Sequence, residues 1–414
     1  MIKRLIFSFP IFILLSFTNL GFAQNSNCSC KTDLDFLNKK LQKLPAFKDN
    51  KKNYNDQFVK FSERAGNLNS GYECFVLLNE LVLTLNDNHS RIFGIDKGAT
   101  TEVRTDPGKL EEFKTSKTFQ AYPKPKMDLD SLKTLLISKT GSEIEGVYSK
   151  QDHLVIGVYK NDKELGYKAV VLESKSEIWE PGEIIYTLIP FGKEYHLNVG
   201  GNIATKRLIS YTERIEDGFF LTMGFQKDHL KTNYSVSLFP DSTYVRKEIS
   251  PDITYLKIGS FNSWNPNLSE AETFYDSLEK TLSKDHLIID LRDNTGGGDR
   301  NSDILYKIVK RYLRDNKVYI ITNHRTASNA EQFAFKLSKL KNSMVFGART
   351  NGSAAYELEG NSFNLPCNNY MAVLATKRHS KYLEIESTGI EPDVEFNMET
   401  DWLEQMRQYI ELHK

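Results

Sequence analysis

LIIDLRDNTGGGD at 287–299 and YIITNHRTASNAEQF at 319–333 are the two stretches that decide how this chain folds. In each, a continuous apolar run reads as a buried strand that stops abruptly and feeds a helix. The first turn offers backbone N–H groups on Gly296, Gly297 and Gly298. The second sets Ser328 near the start of a helix whose Ala330, Phe333, Ala334, Leu337 and Leu340 share one face. A serine at the positively polarised start of a helix, beside a flexible amide loop, is how acyl-transfer enzymes set a nucleophile next to an oxyanion hole. Taken alone, Ser328 reads better as a helix cap contributing about 1 kcal/mol. The glycine turn lacks the GxGxxG spacing and the lysine of a phosphate-binding loop.

Around these turns, strand alternates with helix from about 230 to 400. Strands at Ile253–Ile258, His286–Leu291, Val318–Thr322 and Met344–Phe346 interleave with helices at Glu270–Leu282, Ser302–Leu313 and the Ser328 segment. That order predicts a largely parallel sheet covered by helices, with reactive residues at strand C-terminal ends, where Gly297 and Ser328 both fall. Residues 143–225 have another texture. HLVIGVY, GYKAVVLES, EIIYTLI, EYHLNV and FFLTMGF are separated by Asn-Asp, Pro-Gly and Gly-Gly turns, which predicts an antiparallel β-domain, barrel or sandwich.

From Thr32 to about Ile92 the pattern is helical. Leu34, Leu37, Leu41 and Leu44 recur until Pro45 ends the run, with Thr32 as N-cap, and a second helix covers about Cys74–Leu85. Residues 96–130 are charged and proline-dotted. The expected layout is a signal peptide at 1–23, an N-terminal helical domain at 24–95 contributing His89, and a linker at 96–140. An antiparallel β-domain at 141–228, an α/β core at 229–400 and a C-terminal helix at 401–414 follow.

The first residues read as an export label. Lys3 and Arg4 precede the mostly apolar run Leu5–Leu20, and Gly21-Phe22-Ala23 offers small residues for cleavage. The mature chain is expected to begin near Gln24 and to work outside the cytoplasm, periplasmic or secreted. Without Lys3 and Arg4 the 54 basic residues of the full chain become 52 against 54 acidic ones, a near-neutral balance that argues against nucleic acid and against electrostatic membrane binding. No second apolar run is long enough for a stable membrane span. In an exported chain, a disulfide tying Cys28 or Cys30 to Cys74 is expected, and Cys367 has no evident partner. The cysteine spacing fits no metal pattern, and neither a metal nor a cofactor is expected.

A nucleophilic serine needs a base. His89, in the polar cluster Asn86-Asp87-Asn88-His89-Ser90, competes with His324, four residues before Ser328. Local sequence does not choose between them, because triad partners meet in space. LIIDLRDNTGGG, TASNAE, VFGARTNGSAAY and GIEPDVEF, in that order and with the NDNHS element, resemble the S41 family of serine peptidases. That family holds the C-terminal processing (tail-specific) proteases, the tricorn core proteases and the interphotoreceptor retinoid-binding proteins. The resemblance covers about 250–396 and the element at His89.

It implies a ClpP/crotonase-like ββα core with Ser328 as nucleophile and Glu331 closing its T-A-S-x-A-E turn. The processing proteases take their base from a lysine after G-x-x-T-x-G. Here Gly347-Ala348-Arg349-Thr350-Asn351-Gly352 is followed by Ser353, so the lysine is absent. The tricorn-like branch uses a histidine from an S-H element and a glutamate just before G-x-x-P-D. His89 and Glu386 match, with Asn88 where that branch has serine. The resemblance thus implies Ser328 as nucleophile, His89 as general base and then acid, and Glu386 with Asn88 in the supporting network. The oxyanion hole is expected from the amides of Gly297 or Gly298 and of Asn329.

Asp290 and Arg292 read as structural braces and Tyr356 as a residue of the pocket lining. No PDZ-like segment is recognisable, since the β-domain occupies its place. A peptide or protein substrate is the expected partner, alongside a possible homo-oligomer. The alternative that the retinoid-binding members suggest is an inactive peptide- or lipid-binding or scaffold protein of the cell envelope.

Overall fold

The computed structural model describes residues 28–413 except 69, 140, 142, 152, 161–165, 193, 229–230, 280, 283–284 and 361. The expected signal peptide therefore lies outside the described residues. No helix among those described is long and apolar enough to cross a membrane.

Helices α1 (Cys30–Leu41), α2 (Pro45–Gly66) and α3 (Gly71–Leu83) form the first layer. Ser29, three residues before the expected Thr32, caps α1 by accepting the Thr32 N–H at 3.3 Å. Leu34, Leu37 and Leu41 are fully buried, as their spacing predicts. Pro45 both ends the first run and opens α2, because a proline in the first helical turn has no needed N–H to lose. Ala46 and the sparse stripe Phe47, Tyr54, Phe61 and Ala65 are all that α2 buries.

Two disulfides staple this layer. Cys30–Cys74 joins α1 to α3 and is one of the two expected pairings, whereas Cys28–Cys367 crosses 339 residues to the core and corrects the view that Cys367 lacks a partner. Opening the 44-residue loop of Cys30–Cys74 costs about 4 kcal/mol by chain entropy. A Cys30→Ser/Cys74→Ser variant is expected to lose roughly 3–4 kcal/mol in urea unfolding, measured against the oxidised wild type.

Strand β1 (Arg91–Gly94) follows the NDNHS turn, and α4 (Thr101–Thr105), α5 (Pro107–Lys114) and α6 (Leu129–Ile137) lead on, with Phe113, Phe119 and Tyr122 buried. Seven antiparallel strands then pair in chain order: β2 (Gly146–Lys150), β3 (Leu154–Lys160), β4 (Tyr167–Ser174), β5 (Ile184–Phe191), β6 (Tyr195–Gly201), β7 (Leu208–Glu216) and β8 (Phe219–Phe220). Gln226 bridges both Phe219 and Ser149 and exchanges two backbone bonds with Ser149, at 2.8 and 3.0 Å. The meander closes there into a barrel, which removes its free edges.

The core sheet runs in the order β18-β13-β12-β11-β10-β9, through β9 (Tyr244–Ser250), β10 (Ile253–Ile258), β11 (His286–Asp290), β12 (Lys317–Thr322), β13 (Ser343–Gly347) and β18 (Val394–Glu395). All its pairings are parallel except β9 with β10. Leu256, Leu287, Ile289 and Ile320 face α7 (Asn267–Glu279), α8 (Asp299–Tyr312) and α9 (Asn329–Ser338). Their neighbours Tyr255, Ile288, Tyr319 and Ile321 pack with Trp402 and Met406 of α10 (Trp402–Leu412) on the opposite face. Burying each such side chain contributes about 1.5–3 kcal/mol.

Between β13 and β18 the chain makes an excursion through β14 (Tyr356–Glu357), β15 (Ser362–Asn364), β16 (Tyr370–Val373) and β17 (Lys377–Arg378). β16 pairs with β1, Arg91 against Val373 and Gly94 against Tyr370. That pairing carries the NDNHS turn to the C-terminal ends of the core strands.

Candidate active site

Ser328 enters α9 at φ 55° and ψ −125°. A residue with a Cβ holds such a conformation only at a cost of roughly 1–3 kcal/mol, so the surroundings must impose it. Glu331 does so from full burial. One of its oxygens accepts the N–H of Ser328 at 3.1 Å and of Ser353 at 2.8 Å. The other accepts the Thr350 hydroxyl at 2.6 Å and the Gly352 N–H at 2.7 Å. Burial pushes the Glu331 carboxyl up to about 7 against these donors. The Ser328 hydroxyl is left to meet His89 Nε2 at 3.1 Å, across 239 residues of sequence.

His89 stands on a tight turn. Asn86 takes φ 53°, which asparagine tolerates, and Asp87 folds the turn by accepting the N–H of His89 at 2.8 Å and of Ser90 at 3.2 Å. The second Asp87 oxygen accepts the Ser90 hydroxyl at 2.5 Å. Arg91 donates to the carbonyls of Ser90 and Asp87 and to Thr212 of the barrel. Burial lowers the His89 pKa below its ordinary 6.5; Asp87 and Glu357 oppose that shift, and Arg91 and His379 add to it. Nδ1 of His89 is buried and has no partner among the described residues. A ring nitrogen of His89 and one oxygen each of Asp87 and Glu386 lie within 4.8 Å of one another.

Glu386 is a staple between two loops. One oxygen accepts the Asn88 N–H at 3.0 Å, and the other accepts the N–H groups of Ala354 and Ala355 at 2.8 and 2.7 Å. Burial and the nearby Asp87 carboxylate push it up to about 8 despite the three amides. Asn88 donates its side-chain amide to the Gly352 carbonyl at 2.9 Å, locking the turn to the same loop. The barrel reaches in as well: the Tyr195 hydroxyl donates to the Thr350 carbonyl at 2.6 Å.

The glycine turn lies directly against Ser328. A Cβ on Gly296 would come within 2.8 Å of Ser328 Cβ and 2.9 Å of Asn329 N. The Gly296 N–H is taken by Asn294 at 2.9 Å and the Gly298 N–H by the Phe261 carbonyl at 2.9 Å. Gly298 is therefore not available as an oxyanion donor, which corrects the expectation that it shares that role. The amides of Gly297 and Asn329 donate to nothing among the described residues.

His324 faces Thr222 of the barrel at 3.2 Å, and burial holds it well below its ordinary pKa. Asp290 and Arg292 form a fully buried pair at 2.6 Å, and Arg292 also donates to the carbonyls of Tyr234 and Val236, a brace for that loop. Tyr356 is buried and donates to Asp49 of α2 at 2.8 Å, which ties two layers together. Sequence reasoning gives Asp87 and Tyr195 no role and names Glu331 only as the end of the serine motif. Asp87 and Glu331 had local signals, an acidic residue two before the histidine and a serine followed three later by glutamate.

This arrangement sets a serine hydroxyl in contact with an imidazole, beside two amides that donate to nothing among the described residues. The family model described as Peptidase family S41 matches residues 252–311 and 299–396. The S41 resemblance read from the motifs thus holds over residues 252–396, which match the model of that peptidase family. No curated protein sequence matches the chain. Among solved structures, the photosystem II D1 C-terminal processing protease is similar at 14% identity and TM-score 0.38, over 91% of this chain and 96% of that one. Mature CPAF complexed with lactacystin is similar at 11% identity and TM-score 0.44, over 93% and 98%. The tricorn protease is similar at 15% identity and TM-score 0.38, over 92% of this chain and 36% of its own.

Proposed function

We propose that this protein is an exported serine peptidase of tricorn-like S41 type, with a crotonase-like ββα core, that hydrolyses peptide bonds through an acyl-enzyme on Ser328. The observation that carries the reading is the 3.1 Å contact between His89 Nε2 and Ser328 Oγ. Ser328 Oγ attacks the scissile carbonyl while its proton passes to His89 Nε2. The developing oxyanion takes hydrogen bonds from the amides of Gly297 and Asn329. His89 then gives the proton to the departing amine, and a water activated by the same imidazole releases the acyl group. Asp87 holds the turn that aims His89 and supplies the nearest negative charge for the imidazolium, while Glu386 keeps the two loops in register. Two disulfides accord with a periplasmic or secreted setting. An inactive binding or scaffold protein of the same fold is the rival reading, and it leaves the Ser328–His89 contact and the two free amides without a use.

The test is peptide hydrolysis followed by mass spectrometry across pH. The base works only when neutral, and its pKa is lowered, so kcat/KM is expected to rise through an acid limb whose midpoint lies below 6.5. Asp87→Asn keeps an oxygen for the turn but removes the charge that raises the imidazole, so the midpoint should move further down. An acid limb above pH 7, or one that ignores Asp87→Asn, would contradict His89 as the base.

The oxyanion assignment has its own variant. Gly297 sits at φ 150°, and a Cβ there would fall 2.0 Å from the Phe261 carbonyl carbon and oxygen. Gly297→Ala must displace the turn and is expected to lower kcat by about 10²–10³-fold, the cost of one lost oxyanion donor.

A further inference from the structure

Resting on that reading, we propose that Trp264 is a specificity-determining residue that receives a large apolar or aromatic side chain of the peptide substrate, two to three residues from the scissile bond. Trp264 is 80% exposed, which is unusual for the residue type with the most apolar surface to hide. A single exposed apolar residue such as Leu412, in the last helix, needs no explanation. Trp264 differs in where it stands and in how firmly it is held.

Its loop is hydrogen-bonded at every step. The Trp264 N–H donates to the Asn262 side chain at 3.0 Å, and the Asn262 N–H donates to Ser260 Oγ at 3.0 Å. Asn301 donates its side-chain amide to the Asn262 carbonyl at 2.9 Å and its backbone N–H to Ser263 Oγ at 3.2 Å. An exposed indole on so fixed a backbone loses little freedom on contact, the property that makes tryptophan a binding anchor.

The same loop forms one wall of the oxyanion turn. Phe261 brackets Gly297, donating to the Gly296 carbonyl and accepting the Gly298 N–H, both at 2.9 Å. Ser263 Oγ donates to the Gly298 carbonyl at 2.9 Å, so Trp264 is one residue beyond a group bonded to the oxyanion turn. Trp264 is three Cα steps from Phe261, which packs on Gly297, so at about 3.8 Å per step its backbone lies within roughly 11 Å of that contact. An extended substrate covers that distance in about three residues at roughly 3.3 Å each. An apolar side chain arriving there would cover the indole face, and polar or charged ones would gain nothing from it.

The experiment uses the full disulfide-bonded protein and octapeptides that differ by Phe or Ala at successive positions from the cleaved bond. Wild type is expected to show a kcat/KM preference for Phe over Ala of about tenfold at one position two or three residues away, the scale of a filled apolar contact. Trp264→Ala is expected to abolish that preference mainly through KM, and Trp264→Phe to restore most of it. A binding readout is independent of turnover. Trp179 and Trp402 are buried, so the solvent-exposed emission of the Ser328→Ala protein comes from Trp264. The Phe peptide at saturation should shift it to the blue. A Phe preference that survives Trp264→Ala, or saturating peptide without an emission change, overturns the proposal. If wild type binds with the emission shift but never cleaves, Trp264 stands as a peptide contact and the peptidase reading falls instead.

Discussion

Ser328→Ala is expected to lower kcat for peptide hydrolysis by about 10⁵-fold or more while leaving KM within a few-fold. The substitution removes the attacking oxygen and touches none of the groups that bind the rest of the peptide. His89→Ala should fall nearly as far, and the double variant no further, because an unactivated serine and an absent serine fail at the same step. Initial rates on one fluorogenic peptide and its unlabelled parent measure all three. Stability should move the other way in a related variant. At φ 55° a side chain is strained, so Ser328→Gly is expected to unfold about 1 kcal/mol later than wild type while remaining inactive. Strain relieved at the reacting position is the mark of a residue held for chemistry rather than for folding.

Glu331→Ala is expected to cost about 3–5 kcal/mol of stability and to abolish turnover together. The carboxylate accepts from the amides of Ser328, Gly352 and Ser353 and from the Thr350 hydroxyl, so its removal strands four donors in a dry interior. Glu331→Gln keeps one acceptor oxygen and turns the other position into a donor facing donors, so its loss should be intermediate. Urea unfolding gives the free energy, and the peptide assay gives the function.

The same groups give stability a pH slope. Folded Glu331 and Glu386 titrate near 7 and 8, above the ordinary 4.5, so the folded chain holds more protons than the unfolded one between those values. Their contribution is full below pH 4.5 and is lost as pH rises through 7 to 8. The urea midpoint should therefore fall across that window, and Glu331→Gln should flatten the fall.

Much of the core is legible because its elements are self-announcing. The run ITYLKI at Ile253–Ile258 is six residues rich in β-branched and aromatic side chains, and the strand has those bounds. The helix after Ser328 carries its own stripe and its own glutamate at the third position. Other features lack a local signature. α2 is polar for most of its length and buries so few residues that no stripe stands out, and its proline reads as an end although it is also a beginning. Cys28–Cys367 depends on the chain returning after 339 residues, which spacing does not encode.

The site shows the same division. Ser328 and its glycine turn sit at neighbouring strand ends, so sequence order nearly brings them together. Choosing His89 over His324 from local residues is not possible, since His89 reaches Ser328 on the turn before β1, which pairs with β16. Which glycine amide is free is equally hidden: Gly297 and Gly298 differ only in that Phe261 accepts from one of them. Asp87 looks like any acidic turn residue until its distance from His89 and Glu386 is known.

The most direct measurement is intact-mass analysis after treatment with a fluorophosphonate, comparing wild type, Ser328→Ala and His89→Ala, each with its fold verified by circular dichroism. A single adduct on wild type that maps to Ser328, absent from Ser328→Ala and strongly slowed in His89→Ala, is the result this account predicts. A folded wild type that stays unlabelled, or an adduct that persists in Ser328→Ala, would contradict it.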